Sequence, residues 1–330
     1  MSLLVLMFCA GLLVFSAVGW WLHEPLTLHP QPGSLVLDLE IEPGTPARRV
    51  VQAVTASGAD VPAEWLYTWF RLSGQARQIK AGSYEITPGT TPRSLLGMLV
   101  RGEESLKSVT LVEGWTFRQV RAALQQAEAL KPDSQGLSLE AIMEQLGKPG
   151  IHPEGRFFPD TYTYAKGASD LAVLKRAARA MDKRLETVWA LRSPDTPLQT
   201  PEQALILASI VEKETGRAAD QAEISGVFSN RLRLRMLLQT DPTVIYGMGE
   251  QFDGNLRKRD LLLDTPYNTY TRVGLPPTPI AMPGKAALLA AVRPVPTQAL
   301  YFVARGDGSS HFSSSLDEHN RAVNKYIRGQ

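Results

Sequence analysis

The stretch TPEQALILASIVEKETG, residues 200–216, decides how the rest of the chain is read. Thr200, Pro201 and Gln203 make a helix start signal: an N-cap hydroxyl, a first-turn proline and a capping-box partner. Gly216 predicts a left-handed C-cap. At about 100° per residue, Ala204, Leu207, Ile210 and Val211 share one face, and Glu214 falls within about 20° of Leu207. Glu212 and Lys213 rotate away from that stripe. A carboxyl facing apolar packing loses hydration, which raises its pKa and suits it to donate a proton near neutral pH. The same spacing also fits an acid that reaches solvent from the last turn, so periodicity leaves both readings open.

Before this helix, residues 131–155 are loop-rich. They lead into EGRFFPDTYTY (154–164), whose acidic ends, aromatics and proline fit either a turn lining a groove or a packed aromatic corner. Residues 171–191 predict a basic amphipathic helix. After the acid-bearing helix, residues 224–238 predict another, with Val227, Leu232 and Leu234 among its apolar positions, and Gln239-Thr240-Asp241-Pro242 breaks it. A polar-aromatic cluster follows: Tyr246, Tyr267-Asn268-Thr269-Tyr270 and Gly274-Leu275-Pro276-Pro277. The C-terminal part predicts a helix over 286–292, a strand over 299–304 and a final helix from Leu316.

Further toward the N-terminus a weak repeat emerges. Pro43-Gly44-Thr45, Pro88-Gly89-Thr90 and Gly114-Trp115-Thr116 each follow a short strand and precede an arginine and an apolar helix face. The pattern predicts strand-turn-helix units between about residues 35 and 125, although such turns are common before helices. Residues 23–34 (HEPLTLHPQPGS) read as a tether. Residues 1–22 are almost wholly apolar and, at 1.5 Å per residue, about 33 Å long as a helix, enough to cross a bilayer core. Trp20 and Trp21 sit where an interfacial aromatic belt would lie. A cleaved leader is the alternative, but a basic n-region is missing and the apolar run extends to Leu22. The first Lys or Arg is Arg48, so charge barely votes on orientation; a short uncharged N-terminus suggests N-inside.

A chain of 330 residues has room for more than one core. A formal charge of +2 argues against a nucleic-acid partner. One cysteine, Cys9, excludes an internal disulfide, and the scattered histidines form no metal-ligand pattern, so neither a metal nor a cofactor is expected. No P-loop, GxGxxG or GxSxG is present.

VEKETG (211–216), LQTDPTVIYGMG (238–249) and PYNTYTRVGLPPTPI (266–280) together resemble the endolytic murein transglycosylases, the YceG-like, MltG-type lytic transglycosylases of bacterial wall synthesis. EGRFFPDTY and YFVARGDGSSHF (301–312) fit the same family, in family order, and the resemblance is strongest from about residue 150 onward. It implies that the second glutamate of VEKET, Glu214, is the catalytic acid, and that the sugar-binding groove includes Tyr267, Asn268, Tyr270, Gln239 and Asp241. It further implies a fold of class α+β: a transmembrane anchor (1–22), a tether (23–34), a small LysM-like α/β module (35–110) and a mixed α+β catalytic domain (111–330). Peptidoglycan glycan strands are the implied substrate and peptidoglycan synthases the implied partners. The implied location is the bacterial inner membrane, with the bulk of the chain in the periplasm.

Glycosidic cleavage normally takes two carboxylates. The resemblance implies one: a glutamic acid protonates the leaving oxygen, then accepts the proton of the muramic C6 hydroxyl that attacks C1, leaving a 1,6-anhydro end. Two other classes fit the residues. A non-catalytic peptidoglycan-binding anchor would hold glycan without cutting it. A water-using muramidase would need a second carboxylate, for which Asp241 and Asp160 are the suggestive positions. Glu212 reads as solvent-facing or salt-bridged near Lys213, with an acid that supports the site from behind as the alternative.

Overall fold

The glycine turns between residues 35 and 125 set up the first part of the fold. The computed structural model describes residues 2–30 and 35–329, without the side chains of 2–6, 8–10 and 14. Gly44, Gly89 and Gly114 all take positive φ, at 81°, 90° and 75°, a conformation open to glycine because it has no Cβ. Each turn delivers the chain into a helix. In chain order the elements are α1 (Ser2–His23), β1 (Thr27–Leu28), β2 (Leu37–Ile41), α2 (Ala47–Ala56), β3 (Ala59–Asp60), α3 (Ala63–Leu72), β4 (Gly82–Ile86), α4 (Pro92–Arg101), β5 (Leu106–Thr110) and α5 (Phe117–Gln126). Thr91 with Ser94 and Thr116 with Gln119 form reciprocal capping boxes that start α4 and α5.

The chain divides into two compact units, Met1–Lys107 with Thr163–Ala168, and Ser108–Tyr162 with Ser169–Gln330. In the first unit β2 pairs antiparallel with β4, placing Leu37 opposite Ile86 and Leu39 opposite Tyr84. Period-2 alternation buries Leu37, Leu39 and Ile41 on one face. They pack with Val50 and Val54 of α2, Leu66 and Phe70 of α3, and Leu95 and Leu99 of α4. The expected tether is partly structured: Thr27 and Leu28 pair with Asp60 and Ala59, and Leu26 is buried with its N–H on Thr90 O at 2.7 Å. Apolar side chains at Leu26 and Leu28 explain why three nearby prolines did not leave this stretch free. Residues 31–34 of the tether lie outside the described residues.

The expected anchor coincides with α1, whose Met7, Leu12, Leu13, Phe15, Val18 and Trp20 are exposed. Part of that expectation falls on side chains outside the described residues; among the described ones, no helix is long and apolar enough to cross a membrane.

The second unit continues with α6 (Leu139–Gln145), β6 (Thr161–Ala165), α7 (Asp170–Ala190), α8 (Pro201–Glu214), α9 (Ala218–Arg233), α10 (Asp241–Met248), α11 (Lys258–Leu262), α12 (Lys285–Val292), β7 (Tyr301–Ala304), β8 (Ser310–Ser313) and α13 (Leu316–Val323). The division between units falls within β5 and again within β6. Helix α8 is the centre of the second unit, packed by α7, α9, α10 and α12. Every residue from Ala204 to Val211 is buried, so the single-stripe reading was too narrow. A helix enclosed by others is apolar all round.

Its ends also differ from expectation. Thr200 caps Gln203 N–H at 3.2 Å, but the Gln203 side chain takes the N–H of Gln199 at 2.6 Å, so the box is not reciprocal. The helix stops at Glu214 because Thr215 is extended (φ −147°, ψ 135°), without a left-handed Gly216. Helix α9 starts before the expected Ile224 and ends at Arg233, leaving Leu234 exposed. Pro242 does not interrupt structure; it sits in the first turn of α10, where a missing N–H is harmless.

Candidate active site

Glu214 is the last residue of α8, and its carboxyl faces a cavity of about 390 Å³. The same cavity is lined by Arg231 of α9, Gln239, Asp241 at the start of α10, Tyr270, Tyr301 of β7 and His319 of α13. Its size falls within the range of small-ligand sites.

Local backbone geometry brings these groups together. Gln239 takes φ of 50°, a left-handed conformation uncommon for a residue with a Cβ, and so turns the chain sharply between α9 and α10. The turn is clamped to the 267–270 loop: Gln239 N–H donates to Thr269 O at 3.0 Å, and Thr240 N–H to Thr269 Oγ1 at 3.1 Å. Buried Arg231 holds the other side. Its Nη1 donates to Leu238 O at 2.9 Å and Leu237 O at 3.1 Å, and its Nε to Leu300 O at 2.7 Å. The guanidinium lies 5.1 Å from the Tyr301 ring centre.

Thr240 completes the acid. It is the N-cap residue of α10 but makes no side-chain capping bond. Its hydroxyl donates instead to Glu214 Oε1. Part of the Glu214 side chain reaches the cavity surface, while its carboxyl is closely enclosed by protein. Desolvation therefore pushes its pKa from 4.5 up to about 7; the nearby Asp241 charge adds to the rise, while the Thr240 bond and the Arg231 charge oppose it. Tyr270 donates to Asp241 Oδ1 at 2.5 Å, and burial together with that bond raises the phenol's pKa. Near neutral pH the site thus holds one carboxyl able to give and retake a proton, beside an anchored second carboxyl.

Of the residues expected at the site, Glu214, Gln239, Asp241 and Tyr270 meet in this cavity. Asn268 does not. It is fully buried, its Nδ2 donating to Leu263 O (2.7 Å) and Leu261 O (3.0 Å) and its Oδ1 accepting from Tyr270 N–H (2.8 Å). Its amide shapes the loop that presents Tyr270 and has no face left for a sugar. Tyr267 lines a neighbouring cavity, with its hydroxyl 2.9 Å from Thr278 Oγ1 and its ring 4.9 Å from that of Tyr246. Asp160 is exposed, bonds its own neighbour's N–H (Thr161, 2.8 Å) and lies outside the Glu214 cavity. Glu212 is half-buried and accepts Gly284 N–H at 2.9 Å, and burial raises its pKa; it is neither free in solvent nor part of the cavity.

Sequence reasoning missed Thr240, Arg231, Tyr301 and His319. A threonine directly before Asp-Pro is a helix-start signal, and that signal could have exposed Thr240. Nothing local marks Arg231, whose partners at residues 237, 238 and 300 come together only through folding.

Comparison with known proteins bears on this geometry. The chain is 34% identical over 270 residues to an endolytic murein transglycosylase of Bacillus subtilis, covering 76% of this chain and 74% of that one. It is 28% identical over 299 residues to the protein of the same name from Streptococcus pneumoniae, covering 80% of this chain but only 54% of the longer relative. A solved protein of Listeria monocytogenes described as YceG-like superposes with a TM-score of 0.54 at 27% identity, covering 87% of this chain and 98% of that one. Residues 39–325 match the YceG-like family, and on the breadth of that match the chain belongs to it.

Proposed function

We propose that the protein is an endolytic murein transglycosylase that cleaves the MurNAc-β-1,4-GlcNAc bond of peptidoglycan with Glu214 as its acid and base. The observation that carries this reading is the desolvated Glu214 carboxyl, held by the Thr240 hydroxyl at the wall of a cavity. Protonated Glu214 gives its proton to the glycosidic oxygen as the C1–O bond breaks. The resulting carboxylate takes the proton of the muramic C6 hydroxyl as that oxygen bonds to C1, so the acid is regenerated and no water is consumed. The nucleophile belongs to the substrate, and its high effective concentration removes the need for a protein nucleophile. Gln239, Tyr270 and Arg231 supply polar contacts for the sugar ring and its N-acetyl group.

A LysM-like reading of the first unit rests on its β2–α2–β3–α3–β4 order with β2 and β4 paired. The reading of α1 as a single-pass inner-membrane anchor, N-terminus inside, rests on an uncharged 22-residue helix on which Met7, Leu12, Leu13, Phe15, Val18 and Trp20 are exposed. On that reading the enzyme works in the periplasm near peptidoglycan synthases, on newly made strands.

One observation favours a second reading. Asp241 shares the Glu214 cavity, so a water-using muramidase would have a second carboxylate available. Mass spectrometry of digested peptidoglycan separates the two. The transglycosylase yields 1,6-anhydro ends, lost in Glu214→Gln; reducing ends would support the muramidase, and a Glu214→Gln variant as active as the parent would sink both.

A further inference from the structure

A second cavity of about 1340 Å³ lies in the same unit and is not used by the chemistry above. It is tied to the active site by chain neighbours. Lys213 lines it while Glu214 lines the first, and Pro242 lines it while Asp241 lines the first. Consecutive residues therefore face the two cavities at two places, at the end of α8 and at the start of α10.

Its walls combine apolar surface from Ile245, Tyr246 and Phe252 with the cations Arg118, Arg121 and Lys213. Arg118 pairs with Glu250 at 3.0 Å, but both are well exposed, a setting in which an ion pair holds weakly. Arg121 donates through Nη2 to Ser134 O at 3.1 Å, yet its Nε is buried without a partner. Lys213 makes a long contact to Gly114 O, at 3.3 Å, and lies near the half-buried Glu212. Glu154, the buried acid on the floor, is occupied internally: Phe117 N–H donates to Oε1 at 2.9 Å and the Tyr246 hydroxyl to Oε2 at 3.1 Å. Burial pushes its pKa up to about 7, so it carries less than a full charge at neutral pH. The cavity therefore has positive charge to spare and an unmet donor.

In a peptide-bearing strand each lactyl carboxyl of the glycan is tied up in the amide to its peptide, so the charge lies on the peptide branches, which carry carboxylates and small apolar side chains. We propose that this second cavity binds the carboxylate-bearing peptide branch of the glycan strand, with Arg118, Arg121 and Lys213 receiving its carboxylates. This rests on the transglycosylase reading of the neighbouring site. The two cavities then select for strands that still carry peptide next to the scissile bond.

The test uses full-length protein carrying Glu214→Gln, which binds without cutting, and two probes: glycan strands with their peptides, and the same strands stripped by an amidase with the freed lactyl carboxyls converted to neutral amides. The peptide-bearing strands are expected to bind about tenfold more tightly, since one charge-assisted contact is worth about that factor. Adding Arg118→Ala and Lys213→Ala, both at exposed positions, should remove the advantage. Equal affinity for the two probes, or an advantage that survives the double substitution, overturns the peptide site while leaving the glycan reading intact. Failure of both probes to bind overturns the parent reading, and this one with it.

Discussion

Replacing Thr240 by valine isolates the bond that tunes Glu214, the proposed acid. The hydroxyl donates to Glu214 Oε1 and so favours the ionised carboxylate; it is one of the forces holding the pKa down against desolvation. The backbone bonds of Thr240 to Thr269 and Thr243 do not involve its hydroxyl and survive the change. A hydrogen bond to a charged group contributes about 1.5–3 kcal/mol, and a pKa unit corresponds to about 1.4 kcal/mol, so the Glu214 pKa should rise by about one to two units. Because the protonated acid starts the reaction, kcat/KM falls as pH rises through that pKa. In the parent protein the fall is centred near 7. In Thr240→Val it should move to about 8–9 while circular dichroism remains unchanged. Anhydro-product release measured from pH 5 to 10 reads this directly. A descending limb that stays in place, or moves toward acid pH, refutes the coupling between Thr240 and the acid.

Asp241→Asn should shift the same limb the other way, by up to about one unit, because its charge helps keep Glu214 protonated; loss of activity by orders of magnitude would instead favour the water-using route. Glu214→Gln removes a carboxyl whose folded pKa lies above its unfolded value of 4.5, so the parent loses stability as pH rises from about 4.5 through 7. The variant should therefore be more stable by up to about 3 kcal/mol at pH 9 and no different at pH 4, as thermal melts across pH would show. Asn268→Ala takes partners from two carbonyls and from Tyr270 N–H, so chemical denaturation should show a loss of about 2–4 kcal/mol; a loss below about 0.5 kcal/mol would return Asn268 to the sugar-groove role first expected of it.

What the sequence revealed depended on how local the cause was. The Gly-Thr turns at Gly44, Gly89 and Gly114 were legible because glycine and an N-cap act within a few residues. The start of α8 at Thr200 and Pro201 was legible for the same reason. Glu214 was found partly by a face argument that the structure weakens, since α8 is buried all round; its position at the helix end opposite Thr240 is what matters. The Tyr-Asn-Thr-Tyr loop borders the Glu214 cavity through Tyr270, but a motif cannot tell which of its members face outward. Tyr270 does, Asn268 is the internal strut, and Tyr267 turns to the neighbouring cavity. Arg231 was invisible because its partners lie up to 69 residues away. Helix α10 was hidden by a proline read as a breaker when it was a starter.

The proposed chemistry depends on the protonation state of a single side chain. Carboxyl NMR of protein labelled with 13C at the glutamate side chains, titrated in parent and Glu214→Gln, measures it without any substrate. Glu214 and Glu154 are the two glutamates that burial pushes to about 7, so one of two late-titrating signals should vanish in the variant. Identical late titrations in both proteins, with the missing signal found near 4.5, would contradict the proposal that Glu214 is the acid.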